Sequence, residues 1–170
     1  MPQQQHWKWS ACYRRCEMGQ RRKAREIAIQ TLYALDFAEI QGEFREYALL
    51  NEYPEIMLQL IESEGIDSTS SVYAFANELV KNAIINIDDV ESEIVKHSDN
   101  WSLADIAHLD RNVLHIAVYE LMFTDTPPAV IINEALEIAK KFSSEASGKF
   151  INGILDAVNR ELKTSSTTLR

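Results

Sequence analysis

Residues 109–123, Leu109-Asp110-Arg111-Asn112-Val113-Leu114-His115-Ile116-Ala117-Val118-Tyr119-Glu120-Leu121-Met122-Phe123, decide the fold. Val113, Leu114, Ala117, Val118 and Leu121 recur at three- and four-residue steps, the spacing of one helix face. This is the most apolar stripe of the chain, which predicts a helix central to the core. Towards the C-terminus, Thr126-Pro127-Pro128 ends that helix, and Ile131, Ala135, Ile138 and Phe142 carry the next one. Ser143-Ser144 breaks it, and Ile151, Ile154, Leu155, Val158 and Leu162 form the last stripe.

Towards the N-terminus the same period persists. Asp88 with Glu91, and Ser102 with Asp105, read as capping-box variants that open helices. Val72, Phe75, Ala76, Leu79 and Ala83 form a stripe after the Asp67–Ser71 polar cluster. Residues 44–51 and a helix starting at Pro54 and ending at Gly65 are expected as separate pieces, because the residue before proline disfavours the helical region. Ala24, Ile27, Ala28, Thr31, Leu35 and Ala38 predict a first helix that begins near Gly19 and ends near Gly42. Strict apolar alternation with hairpin dipeptides is absent, so the expected fold is all-α, a compact bundle of about seven helices in two packed groups.

The 170 residues, 46% hydrophobic and 25% charged, suit one globular domain with a core that needs neither metal nor disulfide. The domain is expected over 18–163, with 1–17 a disordered or spurious extension and 164–170 a polar tail. Cys12 and Cys16 have no second pair to complete a zinc site and read as reduced thiols. Without a membrane-length apolar run or a signal segment, a cytoplasmic protein is expected.

Net charge is -9, which argues against general polyanion binding. Yet residues 1–25 hold seven basic side chains and one acid, so the remainder carries -15. Arg21, Arg22, Lys23 and Arg25 stand at the first turn of the predicted first helix, where the dipole disfavours each cation by about 0.3–1 kcal/mol. A local rule broken this consistently points to an anion, and guanidinium forks suit phosphate diesters and unpaired bases. On charge alone a solvated basic arm is an equal reading. Lys149-Phe150, at the start of the last helix, offers a cation beside an aromatic on the edge of the buried stripe. Phe150 can be core or a platform for a base.

Catalytic templates fail. Ser147-Gly148-Lys149 lacks the upstream glycine and strand of a phosphate-binding loop. Glu93 with His97 has neither the spacing nor the twin of a carboxylate-bridged metal pair. His108 and His115 lie seven apart, with His115 embedded in the apolar helix. No enzyme, cofactor or metal is expected, and the chain reads as a binding protein.

Several motifs in one order carry a resemblance: Arg21-Arg22-Lys23-Ala24-Arg25-Glu26 running into Gln30-Thr31-Leu32-Tyr33, then Leu109-Asp110-Arg111-Asn112-Val113-Leu114 into Val118-Tyr119-Glu120-Leu121. Ile132-Asn133-Glu134-Ala135, Ala139-Lys140-Lys141-Phe142 and Lys149-Phe150-Ile151-Asn152-Gly153-Ile154-Leu155-Asp156 complete it. From Gln20 to Leu162 the chain resembles the NusB family of transcription antitermination factors. The resemblance implies two helical subdomains and binding of the boxA element of nascent RNA together with NusE, a small-subunit ribosomal protein, within an antitermination assembly on RNA polymerase during ribosomal RNA transcription. It implies RNA contact by Arg21, Arg22, Lys23, Arg25, Lys149 and Phe150, which selects the platform reading of Phe150. It places NusE against Tyr73, Phe75 and Glu78 and the region of Tyr119 and Glu120. Residues 1–17 have no counterpart, 42–70 match loosely, and Ala146 stands where the family often has an acid. The module also resembles the N-terminal domain of certain ribosomal RNA cytosine methyltransferases, but no catalytic domain follows it here, so an independent enzyme is not expected. A helical protein adaptor without RNA contact is the alternative.

Overall fold

The computed structural model describes the backbone of residues 6–38, 40, 42–98 and 101–168, and side chains only between 19 and 164 of these. Seven α-helices follow in order among them: α1 His6–Leu35, α2 Arg45–Ser63, α3 Ser71–Ile85, α4 Ile87–Lys96, α5 His108–Phe123, α6 Pro128–Phe142 and α7 Glu145–Thr168. Short 3-10 turns cover Asp36–Ala38 and Leu103–Asp105. The all-helical expectation holds, and no strand occurs among the described residues.

α5 is central, as its stripe requires. Every residue from Asn112 to Glu120 is buried, because α5 packs on α1, α3, α4, α6 and α7 at once. α1, α2 and α3 pack together as one group, α5, α6 and α7 as the other, and the contacts of α5 with α1 and α3 join them. Ile151, Leu155 and Val158 of α7 and Ile131, Ile138 and Ala139 of α6 close the second group's core.

Local chemistry sets the ends. Pro128 occupies the first turn of α6, where its missing N–H costs nothing. Gly65 adopts φ +64° after α2, and Ile66 N–H returns to the Ile61 carbonyl at 2.8 Å, which closes the helix as glycine permits. Ser70 caps α3 by accepting from Tyr73 N–H at 3.2 Å. The Asp105 carboxylate accepts from both N–H and Oγ of Ser102, as the sequence predicts, although the turn it opens is 3-10.

Besides the end of α1, which falls at Leu35 rather than near Gly42, four expectations change. α1 runs through Gly19 back to His6, since one glycine in a helix interior costs only about 1 kcal/mol and does not stop it. Its backbone thus covers 6–17 of the expected extension, whose side chains, with Cys12 and Cys16, lie outside the described residues. α2 is one helix with Pro54 inside, held by a continuous buried stripe of Leu49, Tyr53, Met57 and Ile61 that overrides the local penalty. α4 starts from Asn86, so Asp88 lies in its first turn rather than at its cap, and Glu91 is engaged elsewhere. α7 continues through residues 164–168 of the expected tail.

Candidate nucleic-acid interface

The start of α1 at His6 removes the helix terminus from beneath the basic cluster. Arg21 to Arg25 are interior, so their backbone N–H groups serve the helix rather than a ligand. The four side chains then separate by helical angle. Arg25 points inward, where Nε and Nη2 donate to Glu120 Oε2 and Oε1 at 2.8 and 2.7 Å. With 4% and 1% of the two side chains exposed, this pair is sealed in the core. The expectations that Arg25 offers its guanidinium to RNA and Glu120 its carboxylate to a protein partner are therefore corrected: each is consumed by the other.

The other three stay near the surface. Arg22 donates through Nε and Nη2 to Glu134 of α6 at 2.8 and 2.7 Å, which raises the guanidinium pKa above its ordinary value. Lys23 meets Glu64 at 2.9 Å, and the hydrogen bond from Lys23 holds that carboxyl below its ordinary value. Arg21 is exposed and lies 4.8 Å from the ring centre of Phe75, which Arg25 approaches from 5.5 Å. Among the described residues Arg21 has no carboxylate partner. Lys141, not singled out in the sequence, pairs with buried Glu26 at 2.8 Å and ties α1 to the end of α6, just before α7 begins.

At that start of α7, Lys149 is exposed and paired with Glu145 one turn earlier at 2.9 Å. Phe150 is half-buried, packed on the core and edge-on to Trp101 at 6.2 Å between ring centres. Trp101 keeps 53% of its surface exposed. A cavity of about 300 Å³ beside the two rings is lined by Ile106, Ala107, Ala146 and Ser147 as well. Trp101 escaped the sequence reading because it belongs to no stripe. A lone tryptophan in a polar connection was the available signal.

The expected partner-facing residues do not share one environment. Tyr73 and Phe75 are half-buried and Glu78 is exposed. Tyr119 is buried, stacked on Phe123 at 5.7 Å, and desolvation raises its phenol above the ordinary value. Phe75 carries the two arginines on its ring rather than presenting a bare apolar face.

Two further polar clusters lie elsewhere. His97 Nε2 sits 3.0 Å from Glu93 and 3.1 Å from Glu161, and Lys96 pairs with both carboxylates, so α4 is tied to α7 by an ion-pair network. Arg45 donates to both oxygens of Glu91 at 3.0 and 2.8 Å, and buried His115 lies 3.4 Å from it. Burial alone would raise the Glu91 carboxyl, but the approach of His115 and the Arg45 fork overrides it and holds Glu91 at about 2. Exposed His108 instead contacts Asp36 at 3.0 Å, so the two histidines serve different carboxylates. No helix among the described residues is long and apolar enough to cross a membrane.

Comparison with known proteins supplies the frame for these groups. The chain is 36% identical over 149 residues, 88% of its length, to the transcription antitermination protein NusB of a Nitratiruptor species, covering 98% of that protein. Its fold aligns with NusB of T. maritima at a TM-score of 0.68 and 33% identity, over 83% of this chain and 91% of that one. It aligns with a crystal structure of the antitermination factors NusB and NusE in complex with dsRNA at a TM-score of 0.71 and 28% identity, over 85% and 98% of the two chains. The NusB family profile matches residues 22–160, and the chain belongs to the NusB family.

Proposed function

We propose that the protein is a transcription antitermination factor that binds RNA together with the ribosomal protein NusE. The alignment to the solved complex of NusB, NusE and RNA is the observation that carries this reading, since it covers nearly all of that chain. The reading extends to boxA-type single-stranded RNA, to ribosomal RNA transcription and to an assembly on RNA polymerase in the cytoplasm.

Within it, Arg21, Arg22 and Lys23 form one RNA-facing group, and Lys149 and Phe150, beside Trp101, form the other. The exposure of Arg21 and Lys149 and the half-exposed ring of Phe150 support that assignment. Cations answer phosphates, and a ring with an open face answers a base. Tyr73, Phe75, Glu78 and Tyr119 are assigned to the NusE side. The chain's net charge of -9 confines RNA to these basic groups and makes binding dependent on salt.

Titration of the purified chain with a boxA-type single strand, and with a duplex of the same length, each with and without NusE, tests the reading. Binding of the single strand that tightens when NusE is added is expected. NusE binding without RNA affinity in any arm would leave the protein adaptor in its place.

A further inference from the structure

The motif Ile132-Asn133-Glu134-Ala135 contributes to the family resemblance without a role of its own. Ile131, Ala135, Ile138 and Ala139 are buried, so α6 is anchored and Glu134 is carried on a rigid element. Glu134 is 11% exposed at its side chain, while the Arg22 it holds is 39% exposed. This combination separates Arg22 from its neighbours. Arg25 is equally well fixed but sealed, Lys23 is held by a Glu64 that is itself at the surface, and Arg21 rests on a ring.

The pairing geometry matters as much as the exposure. Glu134 takes Nε–H and one Nη2 hydrogen of Arg22. A guanidinium has five N–H donors, so both Nη1 hydrogens and the second Nη2 hydrogen remain as an intact second edge of the fork. Two parallel donors on that edge match two oxygens of a phosphate.

We propose that Glu134 is a positioning residue for RNA, holding Arg22 so that its second edge is set for a backbone phosphate. The proposal rests on the RNA-binding reading above. It gives a sign that simple electrostatics does not. Removing a carboxylate from a surface that meets a polyanion should strengthen binding if only charge counts. Here it weakens binding, because an unheld arginine must lose its side-chain freedom when the phosphate arrives.

The test uses the full chain with NusE and a boxA-type single strand, comparing Glu134→Gln, Arg22→Gln and the double variant at several salt concentrations. Glu134→Gln is expected to weaken RNA binding roughly two- to twelvefold, the cost of immobilising one long side chain. Arg22→Gln should lower the log–log salt slope by about 0.7, the loss of one phosphate contact. In the Arg22→Gln background the second change should add nothing, whereas a purely structural role would make the two effects additive and overturn the proposal. Tighter or unaltered binding by Glu134→Gln, with Arg22→Gln still weakened, overturns the proposal and leaves the RNA-facing assignment of α1 standing. Unaltered binding by Arg22→Gln removes both. Should Glu134→Gln fail to fold, Arg22→Lys keeps the charge and the partner of Glu134 but lacks the fork. A loss of affinity then supports the fixed fork, and wild-type affinity overturns it.

Discussion

Arg25 on α1 and Glu120 on α5 face each other 95 residues apart through two hydrogen bonds, both side chains sealed from solvent. A buried pair of this kind contributes little relative to apolar residues of the same volume, but breaking it strands a charge. Arg25→Ala or Glu120→Ala is therefore expected to cost about 3–5 kcal/mol, read by urea denaturation. Arg25→Met combined with Glu120→Leu should cost much less. The salt slope of RNA binding by whatever fraction stays folded should not move. An Arg25→Ala protein with wild-type stability and a shallower slope would return Arg25 to the ligand.

Phe150 sits between the two roles the sequence leaves open. Because it is half-buried, Phe150→Ala should cost about half of the roughly 3–5 kcal/mol typical of a core phenylalanine. The lost stacking face should cost RNA binding about 1–3 kcal/mol in addition. Thermal melts run beside RNA titrations at a temperature where the variant is fully folded separate the two losses. Full core-type destabilisation with unaltered affinity would reduce Phe150 to packing.

The Glu91 carboxyl lies at about 2 in the folded chain against an ordinary 4.5. A depressed folded-state value means stability that is fully present above pH 4.5 and lost as pH falls towards 2. Its size is on the order of 2 kcal/mol after allowing for partial exposure. Urea midpoints of wild type and Glu91→Gln, measured from pH 6 down to 3, should converge as the pH drops. A gap that stays constant across the range would mean that Glu91 does not titrate as described.

Pro54 lies inside α2 and leaves the carbonyl of Leu50, one turn earlier, without its helical N–H donor. Pro54→Ala supplies that donor, and the gain outweighs the added freedom of the unfolded chain. A stabilisation of about 1–2 kcal/mol is expected, seen as a higher urea midpoint. A lower midpoint would show that α2 is better held with proline at position 54.

Where one residue type forces a local geometry, the sequence was legible. The break at Thr126-Pro127-Pro128, the Ser143-Ser144 break and Gly65 at the end of α2 stand where the pattern puts them. The apolar stripe of 113–121 identified the central helix for the same reason. Pro54 and Gly19 were misjudged for different reasons: the buried stripe of α2 overrides the local penalty of Pro54, and one glycine costs a helix interior only about 1 kcal/mol. At the candidate interface, Arg22 and Arg25 look equivalent in sequence. Their difference arises from Glu134 and Glu120 on two other helices, which no local window contains. Trp101 became relevant only once α7 brought Phe150 beside it.

The partners of Arg25 and Arg22 lie 95 and 112 residues downstream, which fixes an order in time. During translation at roughly 5–20 residues per second, residues 21–25 are made on the order of ten seconds before Glu120, and longer before Glu134. Through that interval the four cations of residues 21–25 answer to no carboxylate from α5 or α6. Completion of α5 is thus the event that withdraws Arg25 into the core, and completion of α6 brings the carboxylate that Arg22 meets.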